Sequence, residues 1–474
     1  MTEKIKKGAM PEMRFLIPVL IVIVIWVFPH PAAIHILAWH MLALFVATIV
    51  AFILKPMPIG AIAIIALTMT LVTKTVPTDV ALASFGDPTI WLIVMAFFIS
   101  RGFIKTGFGS RIAYLFVRLF GRKTLGLSYA LLACDLILSP ATPSNTARAG
   151  GILYPIIQSL ADSFGSKASD HTQRKMGSFL IYSAFQGNLI TSAMFITAMA
   201  ANPLATTLAA SMGVHISWMG WLMASLVPGL ISLITVPWLI YRLYPPEIKE
   251  SPDAVQFAET KLQKMGPLSK SEKSMLFCFI VILILWITGS LIGVDATVTA
   301  LIGLSLLLLL HVLNWEDVRS EKGAWNTLIW FAVLIMMADE LNKMGLIPWF
   351  SQFMVHVVHG LSWPLVLLIL VLVYFYSHYL FASATAHVSA MYGAFLGVAI
   401  ASGVPAMLAA LVFGFMSNLM GSTSHYGMGP APILFGSGYV SQGKWWSLNL
   451  VLSIVYMIIW LGIGGFYWHL IGIF

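Results

Sequence analysis

The sequence predicts an all-α polytopic membrane protein, with about eleven transmembrane helices and two re-entrant hairpins in an inverted-topology repeat. Composition is the first observation behind this. Of 474 residues, 59% are hydrophobic and 9% charged, with a mean hydropathy of +0.92. A water-soluble core of this length cannot bury so much apolar surface. The second observation is a duplication. Ser144-Asn-Thr-Ala-Arg148 and Ser383-Ala-Thr-Ala-His387 lie 239 residues apart, and Thr89-Ile-Trp91 answers Leu328-Ile-Trp330 at the same offset. Lys105-Thr-Gly107 answers Lys343-Met-Gly345 one residue out of register. Third, the polar, proline-bearing segment Ser139–Arg148 interrupts an apolar run. Non-helical backbone at membrane depth is tolerated only inside protein or beside a cavity, and matching breaks in two repeats mark a transporter binding site.

The elements follow in order. Phe15–Phe28, preceded by Lys4, Lys6, Lys7 and Arg14, is followed by no small-residue cleavage site and reads as the first span. Spans two and three are Ile34–Leu54 and Ile59–Thr73, with a turn at Lys55-Pro56. Span four, Pro88–Phe103, leads into a basic amphipathic surface helix, Gly109–Phe120. Leu125–Pro155 reads as the first hairpin. Span five begins near Met176, is interrupted by Gln186-Gly-Asn-Leu-Ile-Thr-Ser192 and ends near Asn202-Pro203; span six is Trp218–Tyr241. The second half repeats the plan with Met275–Ile292, Thr297–His311, the charged loop Glu316–Lys322, Trp325–Met337 and the surface helix Leu346–Val358. A hairpin over Pro364–Ile400 follows, then a span from Met407 broken at Gly421–Pro430, then Trp446–Tyr467. Ser417-Asn-Leu419 answers Gly187-Asn-Leu189 at an offset of 230, so the broken spans repeat too.

Residues 1–241 therefore form one repeat half and 274–474 the other, joined by a cytoplasmic linker, 242–273. Lysines and arginines flank the first hairpin and fill the linker, so the net charge of +8 reflects cytoplasmic loops of a plasma (inner) membrane protein, not nucleic-acid binding. With the N-terminus inside, eleven crossings put the C-terminus outside, and the copies run in opposite senses. Cys134 and Cys278 lie in apolar runs and suggest neither a disulfide nor a metal site. No Gly-x-x-x-x-Gly-Lys-Ser/Thr cradle for a nucleotide occurs, which disfavours a primary pump. No His-Glu-x-x-His occurs either, and Gly436-Ser-Gly438 lacks an assigned base, which disfavours an intramembrane enzyme. Rings of charge that would line a channel are not evident. No cofactor or metal is expected, and secondary transport is the class that remains.

These residues resemble the divalent anion:sodium symporter family over nearly the whole chain. The resemblance is closest to the 2-oxoglutarate/malate and citrate/tartrate–succinate exchanger branch. It is carried by Ser139-Pro-Ala-Thr-Pro-Ser-Asn-Thr-Ala-Arg148, Ser192-Ala-Met-Phe-Ile-Thr197 and His425-Tyr-Gly-Met-Gly-Pro-Ala-Pro-Ile-Leu-Phe-Gly-Ser-Gly438. It implies a homodimer whose transport domains shuttle dicarboxylates past a scaffold by an elevator motion.

A carboxylate leaving water needs donors. Ser144, Asn145, Thr146, Ser383 and Thr385 supply hydroxyls and an amide at the tips, and helix N-termini at the breaks add N–H groups and partial positive charge. Ala384, Gly187, Asn188, Gly427, Gly429 and Pro430 are expected to complete the site. Ala384 stands where the family has an asparagine, which removes an oxygen ligand that a hard cation such as sodium prefers. Two residues past each threonine stand Arg148 and His387, whose fixed charge is expected to take the place of sodium. Sodium-independent exchange follows, since a fixed charge cannot leave with the substrate; sodium-coupled symport is the alternative. Asp135 is expected to pair with Arg148 or another cation rather than relay protons, and His425 either touches the substrate or caps its broken helix.

Overall fold

The computed structural model describes residues 9–357 and 360–474, which form helices joined by turns and loops, with one isolated antiparallel bridge between Lys123 and Glu250. The chain opens with α1 (Ala9–Val27), α2 (Ile36–Leu54) and α3 (Ile59–Val72). His35 caps α2 by accepting the Leu37 N–H, and Lys55 ends it in the left-handed region at φ 49°. A short α4 (Thr78–Ala83) precedes α5 (Pro88–Thr106) and the amphipathic α6 (Phe108–Phe120). The first hairpin comprises α7 (Thr124–Leu138), a non-helical tip, a π-helical stretch Ala147–Leu153, and α8 (Tyr154–Ser163). Its second arm thus runs past Pro155, because that proline sits in the first turn of α8, where its missing N–H costs nothing.

Next come α9 (Gly177–Met194), α10 (Ala201–Ala210) and α11 (Trp218–Leu243). The linker contains a helix that the sequence reading did not anticipate, α12 (Pro252–Met265). Then follow α13 (Lys270–Ile292), α14 (Ala296–Leu309), α15 (Trp315–Ser320), α16 (Lys322–Lys343) and α17 (Leu346–Val357). Val358, the expected end of that last surface helix, lies outside the described residues. The second hairpin comprises α18 (Trp363–Tyr376), a tip, α19 (Ala384–His387), a π-helical stretch Val388–Tyr392 and α20 (Gly393–Ala401). The chain closes with α21 (Ala406–Leu419), α22 (Pro430–Gly436), α23 (Gln442–Met457) and α24 (Gly465–Leu470). Both hairpins resume helix past the tip and pass through π-helical geometry, so the duplication extends to backbone conformation.

Setting the hairpin arms aside, eleven helices stand where spans were expected. Seven are long and apolar enough to cross a membrane: 36–54, 88–106, 218–243, 270–289, 322–343, 406–423 and 442–470. Three are shorter apolar helices, 14–27, 59–72 and 296–309. The eleventh, α9, carries more polar residues, and every one of its 18 residues is buried. At about 1.5 Å per residue, helices of 19 residues approach the roughly 30 Å of a bilayer's hydrocarbon core.

The chain divides into two compact units, residues 1–94, 203–216 and 322–413, and residues 95–202, 217–321 and 414–474. The first unit holds the second hairpin, and the second unit holds the first. Within the second unit the linker straps the start of the hairpin and the approach to α9. Thr124 donates to the Ile248 and Lys249 carbonyls at 2.6 and 3.0 Å, while Glu247 and Ile248 donate to the Arg174 and Lys175 carbonyls at 3.0 and 2.9 Å. Beyond α12, Arg111 on α6 holds the chain through Glu272 at 2.6 Å and the Gly266 carbonyl at 2.9 Å.

Candidate functional site

Two prolines shape the first tip. Pro140 and Pro143 lack N–H groups, so α7 gives way to a 3-10 turn, Ser139–Ala141, and Thr142 is extended (φ −128°, ψ 97°), as a residue before proline must be. Helix resumes at Asn145 with Ser144 as its cap. The Ser144 hydroxyl accepts the Ala147 N–H at 3.1 Å and its carbonyl the Arg148 N–H at 3.1 Å. Asn145 turns its oxygen to the Thr146 N–H at 2.9 Å and its amide toward the Met199 sulfur at 3.5 Å.

Arg148 is fully buried and reaches four oxygens on four segments. Nε donates to Asp135 at 3.0 Å, Nη1 to the carbonyls of Thr142 and Ala198 at 2.5 and 2.7 Å, and Nη2 to Ser192 at 2.9 Å. The planar fork of a guanidinium suits this task, since it offers five donors in fixed directions. The other Asp135 oxygen accepts from Asn188 at 3.0 Å and from the Thr191 hydroxyl. The expected pairing of Asp135 with Arg148 is present; it neutralises the charge expected to act in sodium's place, and the cation's hydrogen bonds brace the tip.

Span five also needs correction. Gln186–Ser192 does not interrupt it; α9 runs through to Met194. Its polar side chains find partners, most of them distant in sequence: Gln186 bonds Asn449 and Tyr456 as well as Tyr182 one turn away, while Asn188 and Thr191 bond Asp135. Helix breaks instead at Phe195–Met199, where Asn202 donates to the Ser192 and Phe195 carbonyls at 2.8 and 2.9 Å and Thr197 to that of Pro140. Asn202-Pro203 opens α10 rather than ending a span. Gly187 and Asn188 both serve the hairpin, for a Cβ on Gly187 would meet the Leu132 side chain of α7.

In the other broken span, a 3-10 turn Met420–Thr423 leads to a loop that ends where Pro430 starts α22. Ser424 accepts the Gly427 N–H at 2.8 Å. Gly429 is exposed and lies so near the Thr146 side chain that a Cβ has no room. This break thus meets the first tip. His425 lies between α22 and α23, its ring 4.5 Å from that of Phe435, and its Nδ1 accepts the Trp446 indole N–H at 2.9 Å. An indole only donates, so the His425 ring proton is on Nε2.

The second tip follows the same plan with different chemistry. Phe381 and Ser383 are extended, and Ser383 caps α19 through the Ala386 N–H at 3.4 Å. Thr385 is half-buried, Ala384 is buried, and the Thr385 carbonyl accepts from Ser389 at 2.8 Å. His387 is fully buried, and its Nδ1 lies 3.0 Å from Nδ1 of His378, a residue the sequence reading passed over.

With this geometry established, the relatives decide the family. The description "sodium:sulfate symporter transmembrane region" matches residues 11–474. The chain belongs to that family. It is 58% identical over 469 residues to YflS of Bacillus subtilis, a candidate malate transporter by name, covering 99% of this chain and 98% of that one. It is 51% identical over 454 residues to the chloroplastic dicarboxylate transporter 1 of Spinacia oleracea, covering 95% and 80%. Identity to the L-tartrate/succinate antiporter of Shigella sonnei is 35% over 475 residues, covering 96% and 97%. Among solved structures, the YdaH transporter of Alcanivorax borkumensis superposes with a TM-score of 0.59 at 12% identity, covering 98% of each chain, a likeness of fold alone. A multi-span transporter family thus accounts for the all-helical architecture, the hairpins and the broken spans.

Proposed function

We propose that this protein exchanges dicarboxylates across the plasma membrane without sodium, with its N-terminus cytoplasmic and C-terminus outside. Ser144, Asn145 and Thr146 of one tip and Ser383 and Thr385 of the other donate to the anion; Gly427, Gly429 and Pro430 shape the wall, and Gly187, Asn188 and Asp135 act through the hairpin. Ala384 adds backbone but no side-chain ligand.

The observation that carries this reading is the Arg148 guanidinium, placed where the carbonyls of Thr142 and Ala198 converge with Asp135 and Ser192. Such an oxygen set suits a hard cation, and here a covalently attached cation fills it. The tip is held without an ion from solution, which supports sodium independence. His387 stands at the equivalent place in the other copy. An empty site presents hydroxyls, an amide and helix N-terminal N–H groups that lose water on crossing, and a bound dianion satisfies them. Return therefore favours another anion, in keeping with a relative named an antiporter. We further propose a homodimer whose transport domains move by an elevator motion, as the family resemblance implies.

Sodium symport is the second reading, favoured by the family's own description. Purified protein in liposomes separates the two. Radiolabelled succinate uptake is measured with and without internal succinate, each with and without a sodium gradient. Exchange predicts uptake that requires internal dicarboxylate and ignores sodium. Sodium-driven uptake into vesicles empty of dicarboxylate refutes it.

A further inference from the structure

We propose that Arg174 and Lys444 form a binding site for a phosphate group at the end of α11, outside the residues assigned to transport. Both cations lie on one aromatic ring. Arg174 Cζ is 3.8 Å from the centre of the Tyr244 ring, and Lys444 Nζ is 5.2 Å from it. Two like charges so placed sit within a Debye length of each other, about 10 Å at 0.1 M salt, and repel with little screening. Attraction to the face of the ring offsets part of that repulsion, and no carboxylate offsets the rest. Neither cation makes an ion pair among the described residues. Glu247, just beyond Tyr244, is exposed and pairs with neither.

The fold holds each cation in this position. Arg174 Nη2 donates to the Pro245 carbonyl at 2.5 Å, and the Arg174 carbonyl accepts the Glu247 N–H at 3.0 Å. Nη1 of the same guanidinium is buried with no partner. Lys444 stands in the first turn of α23, whose cap, Ser441, makes no side-chain bond to the helix. A cation is disfavoured there, because the N-terminal end of a helix is itself positive. The lead into α9, the end of α11 and the start of α23 thus gather positive charge around one ring and leave it uncompensated. A phosphate fits this chemistry. Its oxygens accept from a guanidinium edge and an ammonium together, and such charge-assisted bonds are stronger than neutral ones. One turn and a half earlier on α11, Arg242 lies 5.5 Å from the centre of the exposed Trp238 ring. Tryptophan favours the level of lipid headgroups, so the cluster is within reach of a phospholipid headgroup as well as of soluble phosphate. Either one, once bound, ties the three segments together.

Two measurements on the purified protein in detergent test the site and separate the two sources. In the first, inorganic phosphate is titrated against chloride at matched ionic strength, and the thermal unfolding midpoint is read. In the second, native mass spectrometry counts the lipids retained after addition of phosphatidylglycerol or of phosphatidylcholine. A soluble ligand is expected to raise the midpoint saturably, as binding to the folded state does. A lipid ligand is expected to appear as a retained phosphatidylglycerol that phosphatidylcholine does not replace. The arm that responds identifies the source. Arg174→Gln/Lys444→Gln removes both charges and keeps polar side chains, and affinity in the responding arm should fall roughly tenfold or more. No response by wild type in either arm overturns the site, and so does an unchanged response in the double variant. The wild-type measurements need no variant, so a double variant that does not fold leaves the proposal refutable.

Discussion

Replacing Arg148 by alanine tests the brace at the first tip. The substitution removes four hydrogen bonds and leaves Asp135, 1% exposed, as a carboxylate without its cation. Removing one partner of a buried ion pair costs about 3–5 kcal/mol, most of it the orphaned charge. Asp135 keeps the Asn188 and Thr191 bonds, so a value near the lower end is expected. Arg148→Met/Asp135→Asn removes both charges and should recover part of that loss. Denaturation followed by gel filtration in detergent reads the stabilities, and a double-mutant cycle isolates the pair. Transport gives the second readout. The vacated space in Arg148→Ala is lined by oxygens of Asp135, Thr142, Ala198 and Ser192, so sodium should stabilise this variant and restore some exchange, and the double variant should not respond. Wild-type stability in Arg148→Ala, or a double variant no more stable than the single, refutes the argument.

Other outcomes can be checked alongside. Asn145→Ala and Thr385→Ala each remove a donor to a carboxylate, worth about 1.5–3 kcal/mol, so succinate affinity should fall roughly 10- to 100-fold with the fold retained; unchanged uptake in both removes this site. Gly187→Ala should destabilise by about 1–3 kcal/mol through overpacking against Leu132, and Leu132→Ala in the same chain should relieve it; a loss of affinity with no loss of stability would instead assign Gly187 to the substrate. Asp317 pairs with Lys105 at 2.6 Å and accepts the Asn314 N–H at 2.8 Å. Burial works against its charged form, but these bonds outweigh it and hold the carboxyl below the ordinary aspartate range. Its contribution, about 1 kcal/mol or less, is therefore present above the ordinary aspartate pKa of about 3.9 and lost as pH falls through the lower folded value. Stability of Asp317→Asn against wild type should converge in acid; a gap that widens there contradicts the sign.

Class, repeat and both tips are legible in the residues alone. Apolar runs long enough to span lipid leave few alternatives, and prolines at 140 and 143 deny a helix two backbone donors within one turn. The Gly421–Pro430 break was legible for the same reason, since glycines and a proline mark it locally. The other break was not. Gln186–Ser192 looks polar enough to interrupt a helix, yet stays helical because Asp135, Tyr182, Asn449 and Tyr456 satisfy its side chains. Phe195–Met199 looks like ordinary span, yet opens because Arg148 takes its Ala198 carbonyl, Asn202 those of Ser192 and Phe195, and Thr197 donates to the Pro140 carbonyl of the hairpin. The meeting of His378 with His387 likewise came only from the packing, whereas the Asp135–Arg148 pair was already legible in the sequence. In a low-dielectric interior a polar group is stable only with a partner, and that partner is fixed by three-dimensional packing rather than by the residues adjacent in the chain.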